Sequence, residues 1–143
     1  MPRIDIGGIT LNVEERGSGP AFIFIPGLVG LLDAWEFQMA EFSQRYRCIA
    51  FDHRGTGDSD GLITDEYTLQ EQGDALAVIA WLAAQPWCSG QVGMYGISWG
   101  GFNGLQVAAR RPPALRCIIT LGSTDDRYAT DVHYMGGCMT KDN

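Results

Sequence analysis

The run Gly96-Ile97-Ser98-Trp99-Gly100 decides the fold of this 143-residue chain. It follows a strand-like segment, residues 91–95, and precedes a segment with helical periodicity, residues 98–110, which a Pro-Pro pair ends. A strand that passes directly into a helix must fold back sharply, and glycine at both ends of the run leaves out side chains that would collide there. The spacing therefore predicts a strained turn with Ser98 at its apex.

Ser98 is a candidate nucleophile because of the place this turn would give it. A serine at the start of a helix projects from the end of the sheet, where the helix N-terminus favours the negative charge of an acyl intermediate. The backbone N–H of Trp99 is then one expected oxyanion donor. The second is expected from the N–H of Leu28, in the loop after the apolar run Ala21–Ile25. The alternative is a glycine-rich turn in which Ser98 only caps the helix.

The rest of the chain alternates between strand-like and helical segments. This pattern predicts a mostly parallel sheet with helices on both faces. The expected strands are residues 3–6 and 9–15, joined by a Gly7-Gly8 hairpin turn, then 21–25, 48–51, 91–95 and 117–121. The expected helices are 33–46, capped by Asp33, then 68–84, opened by a capping box of Thr68 and Glu71, and 98–110.

Composition excludes several classes of function. A formal net charge of -7 disfavours nucleic acid as a partner. The four cysteines lack metal-ligand or redox spacing, and no apolar stretch is long enough to cross a membrane. No signal peptide opens the chain, so we expect a reduced, cytoplasmic protein.

Two other patterns in the loop after residue 51 are weighed as ligand sites. Asp52, Asp58 and Asp60 fit a hydrated acidic turn better than a metal site. The run Gly55-Thr56-Gly57 lacks the lysine and the spacing of a phosphate loop. We therefore expect neither a metal nor another cofactor.

The motifs resemble two groups of enzymes. The runs 25–28 (IPGL) and 51–59 (FDHRGTGDS), with Trp35, resemble small single-domain α/β-hydrolases such as the enol-lactonases. The runs 81–88 (WLAAQPWC), 93–101 (GMYGISWGG) and 123–128 (STDDRY) resemble the cocaine-esterase and X-prolyl dipeptidyl-peptidase group. The resemblance implies an α/β-hydrolase fold that stops after its sixth strand. Residues 1–121 would be the N-terminal part of the core, and 122–143 a tail or the start of a cap region.

The implied activity is a serine hydrolase that cleaves a small-molecule ester or a peptide-like amide through an acyl-enzyme at Ser98. Pro26-Gly27 replaces the His-Gly that many α/β-hydrolases carry after the third strand. The cocaine-esterase group is expected to use a tyrosine hydroxyl in its oxyanion hole. Leu28 offers only its backbone N–H, so the resemblance leaves a backbone donor here and no side-chain donor.

The acid and the base of a catalytic triad are harder to assign. The chain order in this fold is serine, then acid, then histidine. His53 precedes Ser98, which is the wrong order, and His133 follows it but has no triad role in the resembling group. Asp125 and Asp126 follow the last expected strand, where a turn or helix cap is the simpler interpretation. The chain is then an enzyme with an unusual base such as His133, a catalytically incomplete binding module, or a fragment.

The last expected strand, residues 117–121, would form one edge of the sheet. Its sequence, Cys-Ile-Ile-Thr-Leu, is apolar, and an unpaired apolar edge is a template for pairing with another chain. The sequence therefore predicts a homo-oligomer formed through this strand by dimerisation or strand exchange, or else aggregation.

Overall fold

The computed structural model describes residues 3–28, 30–131 and 133–138, in which six strands pair in the order β1-β2-β4-β3-β5-β6. The strands are β1 (Arg3–Asp5), β2 (Thr10–Arg16), β3 (Ala21–Ile25), β4 (Arg47–Phe51), β5 (Val92–Ile97) and β6 (Leu115–Leu121). The helices are α1 (Glu36–Phe42), α2 (Leu69–Ala83), α3 (Trp99–Ala109) and the single turn α4 (Arg127–Thr130). Two 3₁₀ turns lie at Leu32–Trp35 and Met135–Gly137.

The sheet is parallel over its larger part. β1 and β2 form the predicted antiparallel hairpin, and β2 also runs antiparallel to β4. From β4 through β3 and β5 to β6 every pairing is parallel, with Ile23 opposite both Ile49 and Met94. All five residues of β3 are buried, because this strand has a partner on each side and helices on each face. The predicted mostly parallel sheet is confirmed.

Helices cover both faces of this sheet. Phe22 and Phe24 of β3 join Trp35 and Met39 in one apolar cluster on the α1 face. The alternate residues of β3 and β4 point to the opposite face, where they pack against α2 and α3. That second cluster contains Ile23, Ile25, Ile49, Phe51, Val78, Ile79, Leu82 and Val107. The period-two alternation of side chains along a strand produces this division, and it agrees with the prediction.

The first helix differs from its prediction. The expected helix 33–46 begins as a 3₁₀ turn and is α-helical only over Glu36–Phe42. Asp33 makes no capping hydrogen bond to this segment within the described residues, so the predicted cap is wrong. Instead the Leu32 N–H donates to the Asp52 carboxylate, at 2.8 Å. The free donor at the start of the turn is thus satisfied by a residue distant in sequence.

The second helix has half of its predicted capping box. Thr68 Oγ1 accepts the Glu71 N–H at 3.2 Å, as predicted. The Glu71 carboxylate does not reach back to Thr68; it accepts the Asn103 amide of α3, at 2.7 Å. Asn103 is buried, and a buried amide needs a partner, so the contact between helices replaces the local one.

The segment after β6 is held against the helices. Arg127 of α4 lies over the ring of Phe102, 4.6 Å from its centroid, and over that of Tyr67, at 5.0 Å. It also pairs with the buried Asp131, at 2.6 Å. Among the described helices none is long and apolar enough to span a membrane.

Candidate active site

Ser98 lies at the turn between β5 and α3, with φ +53° and ψ -119°. A positive φ is uncommon for a residue with a side chain and marks a strained backbone. The Ser98 N–H donates to the Leu121 carbonyl at 2.7 Å, so the end of β6 holds the strained turn in place. In the described part of the chain the Ser98 side chain makes no capping hydrogen bond to α3, and it is exposed. The predicted turn is therefore present, and its hydroxyl is not used as a helix cap.

Gly96 and Gly100 are glycine because three backbones meet at this turn. A Cβ on Gly96 would overlap the Gly100 carbonyl and lie 2.9 Å from the Gly101 nitrogen. A Cβ on Gly100 would overlap the Ile25 carbonyl and lie 2.7 Å from that of Pro26. The end of β3, the end of β5 and the start of α3 can approach this closely only without those side chains.

The loop after β3 lies against Ser98. The position of a Cβ on Gly27 is 3.4 Å from Ser98 Cβ, and Leu28 follows with its side chain 52% exposed. Trp99 is the first residue of α3, and the N–H groups of a first helical turn have no partner within the helix. The elements that carry both expected oxyanion donors thus border Ser98.

His53 lies beside the same elements, a placement that the sequence interpretation did not predict. It is 7% exposed, its Nε2–H donates to the Pro26 carbonyl at 3.2 Å, and its ring stacks on Trp99 with 5.7 Å between centroids. Burial lowers the pKa of His53, which keeps the imidazole neutral. Its position directly after β4, at the carboxyl ends of the parallel strands, was the available signal.

Asp52 is fully engaged in holding loops together. One carboxylate oxygen accepts the Leu32 N–H, and the other accepts the Asn12 amide at 2.8 Å and the Asp58 N–H at 3.4 Å. Over the described ranges, no cluster of three or more His, Cys, Asp and Glu side chains could hold a metal ion. Asp60 accepts the Thr10 N–H, so it too ties the loop to β2.

The downstream candidates for acid and base lie around α4. Asp126 accepts the N–H groups of Tyr128 and Ala129 and therefore caps this turn. Asp125 is exposed. His133 is exposed, and its backbone N–H donates to Asp131 at 2.8 Å.

A cavity of about 180 Å³ lies next to the turn that carries Ser98. It is lined by Phe102, Gly122, Ser123, Thr124, Thr130 and Asp131. Gly122 borders Ser98, since a Cβ on it would be 3.7 Å from the Ser98 nitrogen.

Comparison with known proteins gives consistent matches. The family description "X-Pro dipeptidyl-peptidase (S15 family)" matches residues 32–143. The 2-(acetamidomethylene)succinate hydrolase of Mesorhizobium japonicum is 35% identical over 122 residues, which cover 85% of this chain and 42% of that protein. Epoxide hydrolase 2 of Siraitia grosvenorii is 31% identical over 137 residues, 94% of this chain and 42% of that one.

Solved structures agree on the architecture. The crystal structure of E-2-(acetamidomethylene)succinate hydrolase superposes with a TM-score of 0.75 at 34% identity, over 86% of this chain and 44% of the other. The epoxide hydrolase VrEH1 of Vigna radiata superposes with a TM-score of 0.76 at 29% identity, over 87% and 38%. The chain thus spans about two fifths of the length of these relatives.

Proposed function

Since this chain belongs to the X-Pro dipeptidyl-peptidase (S15) family and has the α/β-hydrolase fold, we propose that it is a serine hydrolase acting on a carboxylic ester or a peptide-like amide. One observation carries the proposal. Ser98 is held at a positive φ at the head of α3, with its hydroxyl exposed and not used as a helix cap. Strain of this kind persists only where the surroundings impose it, and it is concentrated at functional sites.

The proposed reaction has two halves. Ser98 Oγ attacks the carbonyl carbon and loses its proton to a base, and the N–H groups of Trp99 and Leu28 stabilise the oxyanion that forms. The alcohol or amine then leaves with a proton, and an ester to Ser98 remains. Water attacks this ester, releases the carboxylic acid and returns the proton to Ser98. The substrate is a small molecule, and the cavity beside Ser98, lined in part by Phe102, Gly122 and Thr124, is the space we propose for it.

The base that accepts the Ser98 proton is proposed from the order of residues in the sequence. His133 is the one histidine that follows Ser98 in the sequence, and Asp125 is the acid we pair with it in this proposal. His53 is engaged by Pro26 and Trp99. If His133 is the base, His133→Gln changes the pH–rate profile, because the group that accepts the Ser98 proton is lost. A profile that this substitution leaves unchanged eliminates His133.

A fluorophosphonate probe tests the nucleophile directly. Intact-mass measurement and peptide mapping should show one probe per chain, attached to Ser98, and Ser98→Ala should abolish the label. Ser89→Ala, which removes an exposed serine elsewhere, is the matched control and should label like the wild type. Absence of label on the wild type would overturn the acyl-enzyme and support the second candidate, a hydrolase-like binding module. That candidate is favoured by Asp126, whose carboxylate caps α4 and is therefore not available as the acid of a triad.

We place the protein in the cytoplasm. All four cysteines are free thiols, and Cys117 and Cys138 are exposed, which fits a reducing compartment. Fractionation of the source cells, with immunodetection of the chain, tests this placement.

A further inference from the structure

We infer that His53, with its neighbour Asp52, positions the two backbone donors of the oxyanion hole. The inference rests on the proposed function for the identity of those donors, the N–H groups of Leu28 and Trp99. It adds a role for residues that belong neither to the nucleophile turn nor to the loop after β3. We call residues 26–28, 30 and 31 the donor loop.

The donor loop is attached to the 52–53 pair at both of its ends. At its start, the Pro26 carbonyl accepts His53 Nε2–H at 3.2 Å. Immediately after it, the Leu32 N–H donates to Asp52 Oδ1 at 2.8 Å. Because β3 and β4 are adjacent parallel strands, the residues that follow them emerge at the same edge of the sheet. Two consecutive side chains thus hold both ends of the segment that contains Leu28.

His53 also contacts the other donor residue. Its ring lies nearly parallel to that of Trp99, with 19° between the planes and 5.7 Å between centroids. Trp99 is the first residue of α3 and is 4% exposed, so its ring has little freedom to move. One imidazole therefore bridges the donor loop and the start of the nucleophile helix, and a shift of His53 would change the spacing between the two N–H groups.

The 52–53 pair is itself held rigidly. The Asp52 carbonyl accepts the Ser59 hydroxyl at 2.8 Å, and the His53 carbonyl accepts the Thr56 hydroxyl at 2.8 Å. The ring of Phe51 packs edge-on against the imidazole, with 5.8 Å between centroids. A positioning residue must be locked by its own surroundings, and this one is.

Two substitutions separate positioning from simple packing. His53→Phe keeps an aromatic ring against Trp99 but removes the Nε2–H bond to Pro26. His53→Gln keeps a side-chain N–H donor but removes the ring. Met39→Ala is the control, because it damages the buried cluster on the opposite face of the sheet. The measured quantities are the maximal rate and the reversible binding constant of Ser98 phosphonylation by the fluorophosphonate.

Positioning predicts that His53→Phe lowers the maximal rate about 10- to 100-fold, as expected when reacting groups are displaced by a fraction of an ångström to 1 Å. The binding constant should stay unchanged, His53→Gln should recover part of the rate, and Met39→Ala should retain it. A wild-type maximal rate in His53→Phe would overturn the inference. So would a loss in Met39→Ala as large as that in His53→Phe, because both rates would then follow stability alone.

Amide hydrogen exchange keeps the inference testable if wild-type Ser98 takes no label and the proposed function fails. The Gly30 N–H donates to the Gly27 carbonyl inside the donor loop, at 3.0 Å. His53→Phe should accelerate exchange at Gly30 at least tenfold relative to core amides such as that of Ile23, and Met39→Ala should not. Unchanged relative exchange at Gly30 in His53→Phe would show that His53 does not hold the loop.

Discussion

Gly100 and Gly73 are both helical glycines, but their surroundings are opposite. A Cβ on Gly100 would collide with the carbonyls of Ile25 and Pro26, whereas one on Gly73 would meet nothing within 4 Å. We predict that Gly100→Ala destabilises the fold by about 2 kcal/mol or more, because backbone must move to admit the methyl group. Gly73→Ala should stabilise it by about 0.5–1 kcal/mol, since alanine is the better helix former.

Urea denaturation of both variants beside the wild type measures these changes. Equal stability of Gly100→Ala and the wild type would contradict the close approach of β3 and α3 described above. Labelling of Ser98 in the folded fraction of Gly100→Ala should also be slower, since the same collision displaces the nucleophile turn.

His53 gives the stability a dependence on pH. Burial lowers the pKa of His53 in the folded state, so the unfolded chain binds this proton more readily. The contribution is fully present above the unfolded pKa, about 6.5, and is lost as the pH falls below it. We predict that the free energy of unfolding decreases from pH 7.5 to pH 5.5, by at most about 1.4 kcal/mol per pH unit from this group.

Urea titrations at the two pH values test this effect. His53→Phe should show a smaller decrease than the wild type, because it removes the buried group whose pKa is lowered. Equal pH dependence in the wild type and His53→Phe would assign the effect to other groups.

The sequence predicted the residues of the nucleophile turn but not those that support it. The Gly-x-Ser-x-Gly spacing is a local pattern, and the strain at Ser98 follows from it. The contacts of His53 with Pro26 and Trp99 join residues 27 and 46 positions apart. A local sequence pattern does not encode contacts between residues so far apart. The sequence analysis judged His53 by chain order alone, and chain order bears only on a role in a catalytic triad.

At the scale of elements, the helix caps also show that the sequence predicts local partners but not partners that are distant in the chain. Thr68 caps α2 through a bond three residues away, which the sequence predicted. The partner of Glu71 is Asn103 on α3, and the donor at the start of the 3₁₀ turn is satisfied by Asp52 rather than by Asp33. In both cases a buried polar side chain from another part of the chain took the place of the expected local partner. The predicted start of the helix at residue 33 was wrong for this reason.

The Thr68 cap can be tested by its removal. We predict that Thr68→Ala costs about 1 kcal/mol of stability, because the Glu71 N–H loses its acceptor. Thr68→Ser keeps a hydroxyl and should retain most of the stability. Thr64→Ala, at an exposed position four residues earlier, is the control for a general effect of removing a threonine hydroxyl. A loss in Thr64→Ala equal to that in Thr68→Ala would contradict the capping role.

At the scale of the molecule, the two edges of the sheet differ in character. The β1 edge is a strand of three residues with charged side chains at both ends, which resists pairing. The β6 edge has seven residues, and on the face away from α3 it exposes Ile119 by 41% and Leu121 by 43%. Ile97 of β5, opposite Leu121, is 44% exposed and extends the same apolar surface.

This asymmetry leads to a prediction of self-association through β6. Within the described residues β6 pairs with a strand on one side only. Two copies of such an edge can pair antiparallel about a two-fold axis, which would satisfy the outward-facing backbone groups and bring the apolar side chains of the two β6 strands next to one another. The net charge of -7 on each copy opposes this association, so salt should strengthen the dimer by screening the repulsion. An association driven by ion pairs would respond to salt in the opposite direction.

Sedimentation velocity of the wild type and two lysine variants tests the association. We expect the wild-type sedimentation coefficient to rise with protein concentration, and more steeply in higher salt. Ile119→Lys places a charge on the β6 face and should hold the chain at the monomer value, as charged edge residues do in natural sheets. Phe37→Lys makes the same chemical change at a residue of α1 that is 86% exposed, and it should associate like the wild type. A wild type that stays monomeric, or a Phe37→Lys variant that loses association as fully as Ile119→Lys, would show that β6 is not the contact.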